Sequence, residues 1–473
     1  MLLAMRIPVS ILALGLAAAP ILAQQQSTDP FPDPIPATDG VIAVDYAEFA
    51  ALPDIDGEAA RMMLLAEEPG TPRLFVSDMR GPLYRVGADG KTVSLYVDLR
   101  DPRWGVSVES RGAERGFQSF AFHPQFSQSG TPGYGRFYTY VDTSDMEPAP
   151  DFRTEGAKNT HDTVLLQWTA KTPGAAGYDG APPRELMRFE QPFANHNAGH
   201  LSFHPLATPG SPEFGLLYIG SADGGSGGDP MNLAQNRASA FGKILRIDPT
   251  GTNSTNGKYG IPASNPFTKA GTGTLPEIYA LGLRNPQRFA WDPKTGAMFV
   301  GDIGQNIVEE ISPVPAGANL GWNVFEGSFA YGGRSGVLMD KRRSDPSMTY
   351  PVVEYAQADP LLQNSSAVTM GYVYRHNRLR ALRNLLLFGD NPSGELFYVN
   401  ADKLSPNGGQ DAIRRIVFND KGQASRLLDL VRAKVEEKGK KPPTRADLRY
   451  GEGPDGRLFI LNKWDGVIRE IVN

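Results

Sequence analysis

Leu281-Gly-Leu-Arg-Asn-Pro-Gln-Arg-Phe-Ala-Trp-Asp-Pro293, followed closely by Met298-Phe-Val-Gly-Asp-Ile-Gly-Gln-Asn306, reads as loop, strand, turn, strand, loop. Arg284-Asn285-Pro286 is a polar corner stopped by proline. Phe289-Ala-Trp291 is a short apolar strand. Asp292-Pro-Lys-Thr-Gly296 has the turn signature of an early Pro and a late Gly. Ala297 to Val300 is the partner strand. Arg284, Asn285, Asp302 and Gln305 therefore gather at one end of a hairpin. A guanidinium, an amide and glycine-freed backbone carbonyls in one place suit an anionic, planar ligand and a hard cation.

Working outward, strand-turn-strand units recur. Arg73 to Ser77, Gly81 to Val86 and Val93 to Val97 form one set. Phe120 to Phe122, Arg136 to Val141 and Thr163 to Trp168 form the next. Later sets run through Gly215 to Ile219, Lys243 to Ile247, Leu385 to Phe388 and Glu395 to Val399, and end at Arg457 to Leu461 and Gly466 to Val472. Short strands at this spacing, broken by Asp-Pro and Asp-Gly turns, predict an all-β propeller. The 52 glycines and 39 prolines suit its many turns. Ser425 to Val435 is the one helical pattern. Surface insertions are expected near 326–351 and 425–445. The second carries Lys438, Lys440 and Lys441.

The N-terminus predicts export. Arg6 precedes a mostly apolar run from Ile7 to Leu22, and Ala23 offers a small-residue cleavage point. Residues 1–23 are thus expected to be a signal peptide and 24–38 a flexible leader, with the propeller over 39–473. A periplasmic or secreted location follows, with no membrane span in the mature chain. Cysteine is absent, which excludes disulfides, thiolate catalysis and Cys-ligated zinc. The net charge of −5 and the lack of a long basic block exclude nucleic acid as a partner.

Six histidines are candidates for proton chemistry. His196 lies in a polar, Gly-ended approach to a strand and reads either as a bonded turn histidine or as a general base. His200 and His204 continue an i, i+4 spacing, but Gly199 and His204-Pro205 argue for strand and turn, so no helical metal cluster is expected. Asp223 and Asp229 in the Gly-rich run Ser221 to Pro230 are candidate oxygen ligands. That run is not a phosphate loop, because it lacks the Lys-Ser/Thr ending.

The opening stretch resembles the soluble PQQ-dependent glucose/sorbosone dehydrogenases. Other matches follow in order: Glu114-Arg-Gly-Phe-Gln-Ser-Phe-Ala-Phe-His-Pro124, His196-Asn-Ala-Gly-His-Leu201, Ser221 to Pro230, Gly242-Lys-Ile-Leu-Arg-Ile-Asp-Pro249 and Gly371-Tyr-Val-Tyr-Arg375. The resemblance runs from about Val41 onward. It implies six blades, each of four antiparallel strands, and hydride transfer from an aldose or related polyol to PQQ. On that reading His196 is the base and Arg284 polarises the quinone. Arg284, Asn285 and Arg375 bind the cofactor. Gly304 and Gln305 give backbone oxygens to a catalytic Ca²⁺, and Glu310 joins a second, structural one. Glu114 faces the substrate. Electrons leave to an external acceptor.

Three departures from the family pattern stand out. No Arg or Lys lies near Asn391-Pro-Ser-Gly394, where cofactor carboxylates should find cations. Glu114 replaces a glutamine, and His200 an arginine. The alternative is a non-catalytic, Ca²⁺-stabilised propeller that binds carbohydrate or protein. A Ca²⁺-dependent lactone hydrolase needs a ring of acids and amides on a central metal, which this sequence does not supply.

Overall fold

Alternating strands with glycine-marked turns close into a ring of six antiparallel blades in the computed structural model, which describes residues 26–473 except 158, 159, 198 and 364. The expected signal peptide lies outside the described residues. The first blade is Met62–Glu67, Leu74–Asp78, Pro82–Val86 and Val93–Asp98. The second is Phe117–Phe122, Arg136–Thr143, Asp162–Thr169 and Arg184–Glu190. The third is Leu201–Phe203, Leu217–Ser221, Lys243–Ile247 and Ile278–Leu281. The fourth is Arg288–Trp291, Met298–Asp302, Val308–Pro313 and Val353–Ala356. The fifth is Val368–Tyr374, Leu385–Asp390, Leu396–Asn400 and Arg414–Asp420, with Ile42–Val44 added in parallel on its rim. The sixth is Arg449–Gly453, Arg457–Leu461 and Val467–Ile471, and its outer strand is Tyr46–Ala51.

Each seam between neighbouring blades buries its own apolar cluster. Both faces of most strands are therefore covered, and strands such as Leu74–Asp78 and Lys243–Ile247 are buried throughout. Aromatic edges fill the seam of blades one and two, where Phe137 stacks on Trp168 at 5.8 Å. Two rims result. One carries the loops that precede each innermost strand and those joining second to third strands; we call it the upper face. The lower face carries the first-to-second turns, such as Asp292 to Gly296.

The helical pattern is a helix, Leu427–Glu437, which buries Leu427, Leu428, Leu430, Val431 and Val435. The connection from Pro313 to Val353 climbs beside blade three, pairing Leu281 with Asn319, and reaches the upper face. There Phe325–Glu326, Phe329–Tyr331 and Val337–Arg342 form a small sheet.

The 26–38 segment is not a loose leader. Gln26–Ser27 pairs with Val337 and Leu338 of that small sheet. Phe31 packs edge-on against Phe329, and Ile35 is buried with its N–H donated to Asp359 Oδ2 at 2.7 Å. Two apolar anchors in a Pro- and Asp-rich run are enough to dock it.

Candidate active site

Four upper-face loops, from blades two, three and four, converge on His196. The turn between the second and third blades holds His196 at φ +57°, a left-handed conformation that a non-glycine residue keeps only when its surroundings fix it. Glu114 does so by accepting the His196 backbone N–H on Oε2 at 2.7 Å. Asp223 Oδ1 stands 2.7 Å from His196 Nδ1. That carboxylate also accepts the Gly225 N–H on the same oxygen and the Trp322 indole N–H on the other, both at 2.9 Å. An acceptor on Nδ1 places the imidazole proton there and leaves a lone pair on Nε2.

Arg284 Nη2 stands 3.0 Å from that Nε2. Nη1 donates to the Ile303 carbonyl at 2.9 Å and Nε to Gln305 Oε1 at 3.3 Å, while the guanidinium lies 5.7 Å from the Trp322 ring. Asp302 clamps this corner, taking the backbone N–H of Arg284 on Oδ2 at 2.8 Å and that of Asn285 on Oδ1 at 2.6 Å. Burial lifts the Asp302 pKa to about 7 against the pull of those two bonds. Asn285 Oδ1 is buried without a partner.

His196, Arg284, Asn285 and Glu114 are thus brought together, and Gln305 reaches Arg284. The remaining expectations land elsewhere. Arg375 follows an innermost strand instead of preceding one, so it sits on the lower face. It grips Asp292 through two bonds of 2.7 and 2.8 Å and Asp402 at 2.9 Å, which removes it as a cofactor ligand. Glu114 spends one carboxylate oxygen on the backbone of His196 instead of facing open space. Asp229 caps the N–H groups of Leu233 and Ala234 at 2.9 Å each, and Asp223 orients His196, so neither is a spare oxygen ligand.

Gln305 turns its side-chain oxygen to Arg284 and to the Gly228 N–H, 2.8 Å away. Gly304 is required by space: a Cβ there would collide with the Val308 carbonyl. Glu310 lies across the ladder from Asp302 in a buried acidic layer with Glu309, Glu326 and Glu354. Burial and these like charges hold its pKa well above the usual carboxylate range. Glu310 Oε2 and Glu326 Oε2 are buried without partners. Among the described residues no group of three or more His, Asp or Glu side chains has metal-site spacing.

The sequence reading missed a cluster of cations on the upper face. Arg288, Arg449 and Lys463 are buried and have no carboxylate ion-pair partner among the described residues. Burial lowers the pKa of Arg288 to about 9, helped by Arg449, and that of Arg449 to about 10, helped by Arg445 and opposed by Asp447; burial and Arg449 hold Lys463 well below its usual value, again against Asp447. Arg445 donates to Asn391 Oδ1 at 3.1 Å, so a cation does reach the loop that is bare of them in sequence. A cleft of about 430 Å³, lined in part by Arg61, Arg80, Arg445 and Lys463, opens beside this cluster. Arg61, Arg288, Arg445 and Arg449 all lie at or just ahead of the innermost strand of their blade, as Arg284 does. Correct strand phasing is the signal that finds them.

Planar tricarboxylates match these residues. Arg284 and the orphaned Asn285 carbonyl offer polar contacts at one end, and unpaired cations offer charge at the other. No helix among the described residues is long and apolar enough to cross a membrane.

Comparison with known proteins agrees with this architecture. HIPL1 protein of Arabidopsis thaliana is 30% identical over 355 residues, covering 67% of this chain and 49% of HIPL1. The Homo sapiens Hedgehog-interacting protein is 25% identical over 371 residues, covering 71% of this chain and 47% of its own. The chain thus spans about half the length of both. The PQQ-bound form of aldose sugar dehydrogenase from Streptomyces coelicolor has the same fold, with a TM-score of 0.54 at 19% identity over 89% of this chain and 96% of that one. The family pattern named Glucose / Sorbosone dehydrogenase matches residues 62–427, and with the ring of blades this makes the chain a member of the glucose/sorbosone dehydrogenase family.

Proposed function

We propose that the protein is an exported oxidoreductase that oxidises an aldose or related polyol with PQQ as hydride acceptor. One observation carries the reading: His196 is held with its proton on Nδ1 and its Nε2 lone pair presented beside Arg284. A binding surface has no need of a buried imidazole locked in the tautomer of a base. PQQ supplies a quinone that takes up two electrons as hydride. His196 Nε2 accepts the proton of the sugar hydroxyl while the hydride leaves the same carbon, so an alcohol becomes a carbonyl. Asp223 stabilises the resulting imidazolium. Arg284 leaves Nε2 but stays anchored on Ile303 and Gln305, and turns its charge to the oxygen that gains electron density. Arg61, Arg288, Arg449 and Lys463 would hold the cofactor's carboxylates. Calcium ligation by the Gly304–Gln305 backbone belongs to this proposal as a Lewis acid on the quinone. The electrons then pass to an external acceptor.

The same contact supports a second reading. Arg284 fills the space in front of Nε2, and one relative is named for a protein partner. A Ca²⁺-stabilised propeller that binds carbohydrate or protein without turnover fits both facts. The deciding experiment titrates the purified protein with PQQ and Ca²⁺ and assays dye reduction across a sugar panel. Turnover with any sugar supports the enzyme. PQQ binding without turnover, or no binding, transfers the case to the binding propeller.

A further inference from the structure

A second cleft, of about 500 Å³, opens on the lower face at the seam of blades three and four, on the rim opposite His196. This volume lies within the usual range for small-ligand sites, roughly 300–1,000 Å³. One wall is aromatic. Tyr218 meets Tyr279 at 5.1 Å and Trp291 at 5.2 Å, both edge to face, and His204 lies 5.2 Å from Trp291. The other wall, Gly296, Ala297, Pro315 and Ala316, is made of small residues, and this leaves the room.

The polar groups in the cleft have unspent hydrogen-bonding capacity. Glu213 borders it, and its carboxylate has no hydrogen bond or ion pair among the described residues. His204 Nδ1 accepts the Leu206 N–H at 3.2 Å, so the proton is on Nε2, which is a free donor. Burial lowers the His204 pKa and keeps the ring neutral. Arg246 uses Nε on Asn265, Nη2 on Ser264 and Nη1 on the Tyr218 hydroxyl, which leaves further guanidinium N–H groups.

The class of ligand follows from charge and shape. An aromatic pocket with a carboxylate can hold an organic cation. Here Arg246 already covers the tyrosine faces, 4.9 Å from Tyr279 and 5.7 Å from Tyr218. Its charge repels a second cation, and Glu213 repels an anion. What remains is a neutral ligand with an apolar patch for the part-exposed Tyr279 and many hydroxyls, each able both to donate to Glu213 and to accept from Arg246 and His204. We propose that this cleft is a carbohydrate subsite for a pyranose ring, separate from the His196 site. It goes beyond the oxidoreductase reading and stands without PQQ.

Glucose and maltotriose are the probes, measured by saturation-transfer NMR and calorimetry on the PQQ-free protein. The wild type should bind at least one of them. Tyr279→Ala and Glu213→Gln should each weaken binding about tenfold, the scale of one stacking or charge-assisted contact. The exposed control Lys441→Gln should leave it unchanged. Binding that survives both lower-face substitutions overturns the proposal, as does no binding of either sugar. Glu213 is half-exposed and unbonded, so Glu213→Gln folds even where Tyr279→Ala does not. Failure of the upper-face dye assay would leave this result untouched.

Discussion

Asp223 bridges His196 and Trp322, taking a nitrogen of the first at 2.7 Å and the indole N–H of the second at 2.9 Å. Trp322 arrives on the long connection inside blade four, so one carboxylate ties His196 to the turn that leads into the small upper-face sheet. The bridge fixes which imidazole nitrogen is free. Asp223→Asn offers an amide in place of the acceptor and favours the opposite tautomer. We expect kcat to fall by about 10²–10⁴-fold in Asp223→Asn and in His196→Ala, the scale of a positioned base. PQQ affinity should hardly change in either. Stopped-flow dye reduction and a separate cofactor titration measure the two effects, and retained turnover in His196→Ala would place the base elsewhere.

Arg284 should behave differently. It touches both the base and the space in front of it, so Arg284→Ala should weaken PQQ binding as well as turnover. His204→Ala is the contrast, because that ring lies on the lower face. Its kcat should match wild type in the same assay.

Buried cations without anionic partners are an expense that a bound polycarboxylate removes. Arg449→Met should therefore raise the stability of the cofactor-free protein by about 1 kcal/mol or more. Lys463→Met should act in the same direction. Both should reduce the rise in Tm that PQQ gives the wild type. Paired melting curves with and without PQQ test this. A destabilised apo-protein would mean the cations are already neutralised.

Asp142 supplies a pH signature. Burial raises its pKa from 3.8 to about 7, although Gln118, Thr163 and the Gly116 N–H all donate to it. Its folded pKa lies above its unfolded one, so between about 4 and 7 the folded state holds more protons and stability falls as pH rises. Asp142→Asn keeps one oxygen for the Gly116 and Gln118 donors and turns its amide N–H to the Thr163 oxygen, which then accepts instead of donating. Its urea midpoint should decline less than that of wild type from pH 5 to pH 7.5, and equal slopes would count against the shift.

Calcium is tested by chelation. The partnerless oxygens of Glu310 and Glu326 and the Gly304–Gln305 backbone are the places for a hard cation. EDTA should lower Tm by linkage. An unchanged curve together with no calcium by elemental analysis rejects both sites.

Local signals account for what was legible. The hairpin over Arg288 to Asp302 is announced by Asp292-Pro and Gly296, and the neighbouring Arg284, Asn285 and His196 do meet. Arg375 failed because a motif match does not say at which end of a strand a residue stands. His196 and Arg284 stand on one rim and Arg375 on the other. The cation cluster was missed because Arg61 of blade one, Arg288 of blade four and Arg449 and Lys463 of blade six are far apart in sequence and meet only once the ring is closed. Phe31 and Ile35 show the same limit: two apolar side chains in a polar run say nothing until the surface that receives them is known.

The strand Tyr46–Ala51 completes a blade whose other strands lie far later in the chain. During synthesis the strand Tyr46–Ala51 has no strand to pair with until Val467–Ile471 leaves the ribosome, and the cation cluster of blades one, four and six stays open until that clasp snaps shut. Pairing so distant in sequence makes ring closure the slow event of folding. The upper-face cleft is therefore a late-born site. A chain interrupted anywhere in its last blade should display most of the fold and none of the cofactor chemistry.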